Sequence, residues 1–196
     1  MSGFVHKTIG EVIRDAAHRY PLTDALIHPD SGVHFNYQQF YDQCRKVAKG
    51  LIALGVKRGD HVSVWTTNIP EWVYLQFALG MVGGVLVTVN TNYQSHELEY
   101  ILKQSDSGVL FVMESYRDVN FYEIVRRVVP ELDVANQQNL TSAKLPLLKS
   151  VVYIGKRERI TGMMYFEEMV KRGENISDKE LDERIESLDE NDVINM

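Results

Sequence analysis

A chain of 196 residues that is 44% apolar and 24% charged is an ordinary globular composition, long enough to bury a sizeable core, about 70% of its unfolded surface. Its single cysteine, Cys44, excludes an internal disulfide framework, and no apolar run reaches the roughly 20 residues that span a bilayer. The formal charge of -6 and the lack of a basic stripe argue against a nucleic-acid partner, and the start MSGFVHKTIGEV has no apolar export core, so a cytoplasmic setting is expected.

The first element is an amphipathic helix. Thr8 and Glu11 form a capping box, and Ile9, Val12, Ile13, Ala16, Ala17 and Tyr20 recur at helical spacing until Pro21. Residues 25–28 and 33–35, separated by Pro29-Asp30-Ser31-Gly32, read as a short hairpin. His28 and His34 flank its turn, but two histidines without a further ligand do not make a metal site. Asn36 and Gln39 open a second helix with Phe40, Tyr41, Cys44, Val47, Ala48, Leu51 and Ile52 on one face and Gly55 as its stop. Cys44 on that face reads as a small buried hydrophobe, since a reactive thiol needs an electropositive, partly exposed site.

A strand over 62–66 leads into the most apolar stretch, 66–93. Asn68 and Glu71 have capping-box form and Pro70 suits a first turn, so a helix is expected from about residue 69. Trp72, Val73, Leu75, Phe77, Ala78, Leu79, Met81 and Val82 cover most of its circumference, which predicts burial all round. Gly83-Gly84 ends it, and Val85, Leu86, Val87 and Val89 make a strand apolar on both faces, as inner strands of parallel sheets are.

Ser95 is expected to cap the next helix, with Glu97 and Glu99 near its start, Leu98, Ile101 and Leu102 on its face and Lys103 near its end. A strand over 108–113 follows, then a helix capped by Ser115 and ended by Pro130. The stretch 131–148, holding Asn136-Gln137-Gln138-Asn139, is the expected mobile loop. A strand over 149–154, a helix over 166–172 stopped by Gly173, and a helix capped by Ser177 and Glu180 with Leu181, Ile185 and Leu188 inward complete the list. At 192–194 something extended begins. From Glu174 to Asp192 nine acidic residues face only Lys179 and Arg184, which reads as a solvated helix face. Alternating helices and strands without internal repeat predict an α/β fold, a mostly parallel doubly wound sheet with helices on both faces.

Chemistry is harder to find. Gly80, Gly83 and Gly84 follow a helix and precede a strand, the reverse of a phosphate-binding loop, so they read as a helix stop and close packing. No nucleophile elbow and no paired-histidine zinc motif occurs. The sequons at Asn139 and Asn175 would stay unused in a cytoplasmic protein, and Lys156-Arg157-Arg159, broken by Glu158, reads as a solvated loop. No catalytic, cofactor-binding or metal-binding residue is assigned.

Several pieces in fixed order resemble the N-terminal part of AMP-forming acyl-CoA synthetases, the adenylate-forming enzymes. They are Phe35-Asn36-Tyr37, Leu54-Gly55-Val56 with Gly59-Asp60, the Asn68, Glu71, Trp72 group, Gly84-Val85-Leu86-Val87, Val89-Asn90 before Tyr93, and Glu97-Leu98-Glu99-Tyr100-Ile101-Leu102. The pattern is most similar to medium- or long-chain fatty-acid members, although Thr88 and Thr91 stand where many relatives have proline.

The resemblance implies that residues 1–196 are the N-terminal portion of a large AMP-binding domain, ending just before the ATP-phosphate loop that follows a segment like Asp192-Val193-Ile194-Asn195-Met196. ATP, Mg2+ and CoA are then implied for the parent enzyme and none bound to this part, which is expected to be inactive by itself. Its implied partners are the rest of the synthetase, the carboxylic acid and CoA. An apolar face bared by truncation is expected to favour self-association. A related aryl-CoA ligase or peptide-synthetase adenylation domain, and a non-enzymatic α/β interaction module, are the alternatives.

Overall fold

The computed structural model describes residues 6–135 and 140–196. Helix α1 (Ile9–Arg19) begins with the expected reciprocal cap, in which Glu11 N–H donates to Thr8 Oγ1 (3.3 Å) and Thr8 N–H donates to Glu11 Oε2 (2.8 Å). Strands β1 (Asp24–His28) and β2 (Val33–Asn36) form the expected antiparallel hairpin, turned at left-handed Gly32. Helix α2 (Tyr37–Leu54) opens on the Asn36–Gln39 box and ends at Gly55, where φ is 97°. Cys44 is fully buried on its inner face, and burial pushes its thiol far above the usual range.

Next come β3 (His61–Trp65), α3 (Pro70–Val82), β4 (Val85–Thr88), α4 (Ser95–Gln104), β5 (Val109–Met113) and α5 (Phe121–Val128). They are followed by β6 (Ser150–Ile154), β7 (Met164–Tyr165), α6 (Phe166–Arg172) and α7 (Asp178–Glu186). Strands β3 to β7 form one parallel sheet in the order β4-β3-β5-β6-β7. The extended segment foreseen after residue 192 lies beside β4, with a parallel bridge between Leu86 and Asn195. Side chains alternate across the sheet as its period of two requires. Val62, Val64, Phe111 and Val152 pack with α1, α2, α3, α6 and α7, whereas Trp65, Leu110, Val112, Val151 and Tyr153 pack with α4 and α5. The doubly wound sheet expected from the alternating pattern is therefore present.

Three helix starts differ from expectation. Proline at the first position of α3 makes Ile69 the cap, without a side-chain bond, so Asn68 stands one residue too early for Glu71 to complete a box. In α4 Ser95 is the first helical residue rather than the cap, and Glu97 reaches back to Gln94 N–H (3.1 Å). Ser115 caps nothing. Residues 114–120 make a turn closed by a Tyr116–Val119 bridge, with Arg117 at φ 52°, and Asn120 caps α5 by accepting from Glu123 N–H (3.0 Å).

Burial of α3 is also incomplete. Gln76 is exposed, and Trp72, Val73 and Phe77 are only partly buried, so one stripe of that helix stays open. Gly173 ends α6 but with φ -62°, a conformation any residue adopts. It is glycine because an added Cβ would lie 2.5 Å from the Gly50 nitrogen of α2. Strand β7 has only two residues, too short for a periodic signal. Asn136-Gln137-Gln138-Asn139 and the first five residues lie outside the described residues.

The acidic segment is docked, not merely solvated. Asp178 and Asp182 meet Arg45 at 2.9 and 2.6 Å, Asp178 also meets Lys49 at 2.9 Å, and Asp192 meets Arg58 at 2.6 Å. Among the described residues no helix is long and apolar enough to cross a membrane.

Candidate functional site

In an open parallel sheet the strand ends that can meet a ligand are the carboxyl ends, above all where successive connections leave in opposite directions. Here β3 connects to β4 on one side and β4 connects back to β5 on the other, so that point lies between β3 and β5. The crevice is filled. Thr67 N–H points at Met113 Sδ (3.3 Å), and the Thr66 hydroxyl donates to Thr67 O (3.0 Å). At its floor Trp65 stacks on Phe121 (4.2 Å between centroids) and donates Nε1–H to Asn90 O (3.0 Å).

One strand over, the same edge holds the densest polar group. Glu114, the residue after β5, receives Arg157 Nη2–H on Oε1 (2.6 Å) and both Arg157 Nε–H (3.1 Å) and the Tyr153 hydroxyl (2.5 Å) on Oε2. The Arg157 guanidinium also lies over the Tyr122 ring, 4.1 Å from its centroid, and its carbonyl accepts from the Tyr165 hydroxyl (2.7 Å). Arg157, with help from Tyr153, holds the Glu114 carboxyl below its ordinary range, while burial and the Glu114 charge push the Tyr153 hydroxyl well above its own. A carboxylate whose two oxygens are both taken, beside a phenol held protonated, neither gives nor takes a proton near neutrality. This group fastens the end of β5 to the loop after β6. Lys156-Arg157-Arg159 lie in an exposed loop as expected, but Arg157 is also paired with a carboxylate 43 residues away, a separation at which no local pattern could signal the pair.

The other singled-out residues are dispersed. Gly83 ends α3 at φ 78°, where an added Cβ would meet Leu188 at 2.6 Å; one on Gly80 would meet Ile9 at 2.9 Å, and one on Gly84 would meet Leu79 at 2.8 Å. These glycines serve packing, as their order in the chain implies. His28 Nδ1 lies 2.9 Å from Ser31 Oγ, and His34 Nε2 lies 2.8 Å from Asp24 Oδ1. Among the described residues no group of three or more His, Cys, Asp or Glu could hold a metal ion. Two of the helix starts at the carboxyl edge are capped from within, α4 by Glu97 and α5 by Asn120, whereas the start of α3 at Ile69 carries no side-chain cap. At the starts of α4 and α5 the Gln94 and Glu123 N–H groups are thus already engaged and are not available to a nucleotide phosphate.

Residues 13–196 match the family described as AMP-binding enzyme. YngI of Bacillus subtilis (strain 168), which bears an acyl-CoA synthetase name, is 45% identical over 196 residues, all of this chain and 36% of YngI. The rat (Rattus norvegicus) medium-chain acyl-CoA ligase ACSF2, mitochondrial, is 31% identical over 172 residues, covering 88% of this chain and 28% of ACSF2. The chain therefore spans about a third of the length of the curated relatives it matches. The crystal structure of the anthranilate CoA ligase AuaEII in complex with anthranoyl-AMP superposes on 86% of this chain, and 28% of that one, with a TM-score of 0.70 at 23% identity.

Proposed function

Because the chain belongs to the AMP-binding enzyme family, we propose that residues 1–196 form the N-terminal portion of the large domain of an AMP-forming acyl-CoA synthetase. The observation that carries this reading is 45% identity to YngI along all 196 residues. The parent enzyme joins a carboxylic acid to ATP, giving acyl-AMP and pyrophosphate, and then transfers the acyl group to the thiol of CoA. ATP and CoA are its substrates, and Mg2+ accompanies the nucleotide.

In this reading the present residues are scaffold and have no turnover alone. Their contribution is placement. Residues 194–196 run parallel to β4, so they deliver the chain toward the carboxyl edge of the sheet, where an α/β fold gathers ligands. The phosphate loop follows there in the longer protein. The acid is a medium- or long-chain fatty acid, supported by the likeness to ACSF2 and by the order of the matching sequence pieces. The half-open stripe of Trp72, Val73 and Phe77 favours association of the isolated 196 residues, which light scattering would detect as a mass above that of one chain.

An acid panel in ATP–pyrophosphate exchange tests the reading on the full-length protein. Exchange that depends on fatty acids supports it. Exchange only with aryl acids or amino acids moves the protein to another adenylating branch, and none with any acid leaves a non-enzymatic α/β module.

A further inference from the structure

After α7 the chain makes an irregular turn over 187–192 before residues 194–196 settle beside β4. Among the described residues two backbone bonds attach that last segment, and both involve Leu86: its N–H donates to Ile194 O (2.9 Å), and its carbonyl accepts from Met196 N–H (3.0 Å). So short a ladder does not fix its own register, and a slip of one residue would send each side chain to the opposite face. The register is set by whatever holds the turn.

One side chain grips both ends of it. Arg58, in the connection between α2 and β3, donates through Nη1 to Ser187 O (2.9 Å) and through Nη2 to Asp192 Oδ1 (2.6 Å). The other Asp192 oxygen accepts from Asp189 N–H (3.0 Å), and Asp189 Oδ1 accepts from Asn191 N–H (2.9 Å), so the turn is internally braced. Leu188 sits over Gly83 beside the Arg58 stem: a Cβ on Gly83 would come within 2.6 Å of Leu188 Cδ2 and 3.0 Å of Arg58 Cγ. The planar fork of arginine suits a grip on two acceptors; the single ammonium of lysine does not span both.

We propose that Arg58 is a positioning residue: by bracketing the 187–192 turn it sets the register of residues 194–196 on β4, and with it the point at which the following chain enters the carboxyl edge. The link to catalysis rests on the synthetase reading above; the link to register does not.

The test is hydrogen exchange on the full-length protein, wild type against Arg58→Ala, Arg58→Lys and Asp192→Asn, with ATP–pyrophosphate exchange measured alongside. An exposed pair of this kind predicts exchange about two- to fivefold faster over 187–196 and at Leu86 in Arg58→Ala and Asp192→Asn, less in Arg58→Lys, and unchanged in β5 and β6. KM for ATP should rise over the same range with kcat and KM for the acid unchanged. Unaltered exchange over 187–196 would overturn the proposal, and so would faster exchange spread evenly over β5 and β6, which would make Arg58 a general stabiliser. If the wild type lacks acid-dependent turnover the synthetase reading fails, and the deuterium result alone still decides the register claim.

Discussion

Arg157 and Glu114 meet through two hydrogen bonds, 2.6 and 3.1 Å long, across 43 residues of sequence, and so tie the end of β5 to the loop that leaves β6. Both side chains are 37% exposed, so screening leaves the pair about 1 kcal/mol or less. The buried member of the group matters more. Tyr153 is 1% exposed and gives its hydroxyl to the carboxylate, so Tyr153→Phe should cost about 1–2 kcal/mol in urea unfolding.

The same carboxylate predicts a pH dependence. The Glu114 pKa is depressed in the folded chain, so the folded state binds its proton less readily than the unfolded state does. Its contribution is therefore complete above the unfolded value of 4.5 and is lost as pH falls through the lower folded value. Glu114→Gln should remove that part of the acid sensitivity. Identical stability-against-pH curves for wild type and variant below neutrality would contradict it.

Gly173 touches α2 backbone to backbone, so a methyl group there has no side chain to push aside. Gly173→Ala should force α6 from α2 and cost about 2 kcal/mol. On a chain of this length that lowers Tm by about 4–8 °C, measurable by calorimetry. A Tm unchanged within a degree would mean that α2 yields freely.

The cap of α5 separates two residues that look equivalent in sequence. Asn120→Ala removes the acceptor for Glu123 N–H and should cost about 1 kcal/mol. Ser115→Ala lies in the preceding turn without a capping bond and should stay within about 0.5 kcal/mol of wild type. Denaturant midpoints of the two variants decide between the caps.

What could be read from the sequence was local and periodic. The boxes at Thr8–Glu11 and Asn36–Gln39 formed as written, because each has its polar pair three residues apart directly ahead of an apolar face. The Asn68–Glu71 pair has the same spacing and failed, since Pro70 fixed the start of α3 one residue later. At Gly80, Gly83 and Gly84 the helix-then-strand order pointed to a helix stop and close packing, and an added Cβ at each would meet a neighbour within 3 Å. The Glu114–Arg157 fastening and the Arg58 grip, which join residues 43 and up to 134 positions apart, were not legible, because only the folded sheet brings them together. The docked acidic segment escaped for the same reason: charge counting registers Asp178 and Asp182 but not Arg45 opposite them.

Nucleotide product analysis tests most directly the proposal that these residues belong to an enzyme that activates acids through an adenylate. Full-length protein incubated with ATP, CoA and a medium- or long-chain fatty acid should release one AMP and one pyrophosphate for each acyl-CoA formed. Release of ADP and phosphate instead, or AMP formation indifferent to the acid, would contradict it.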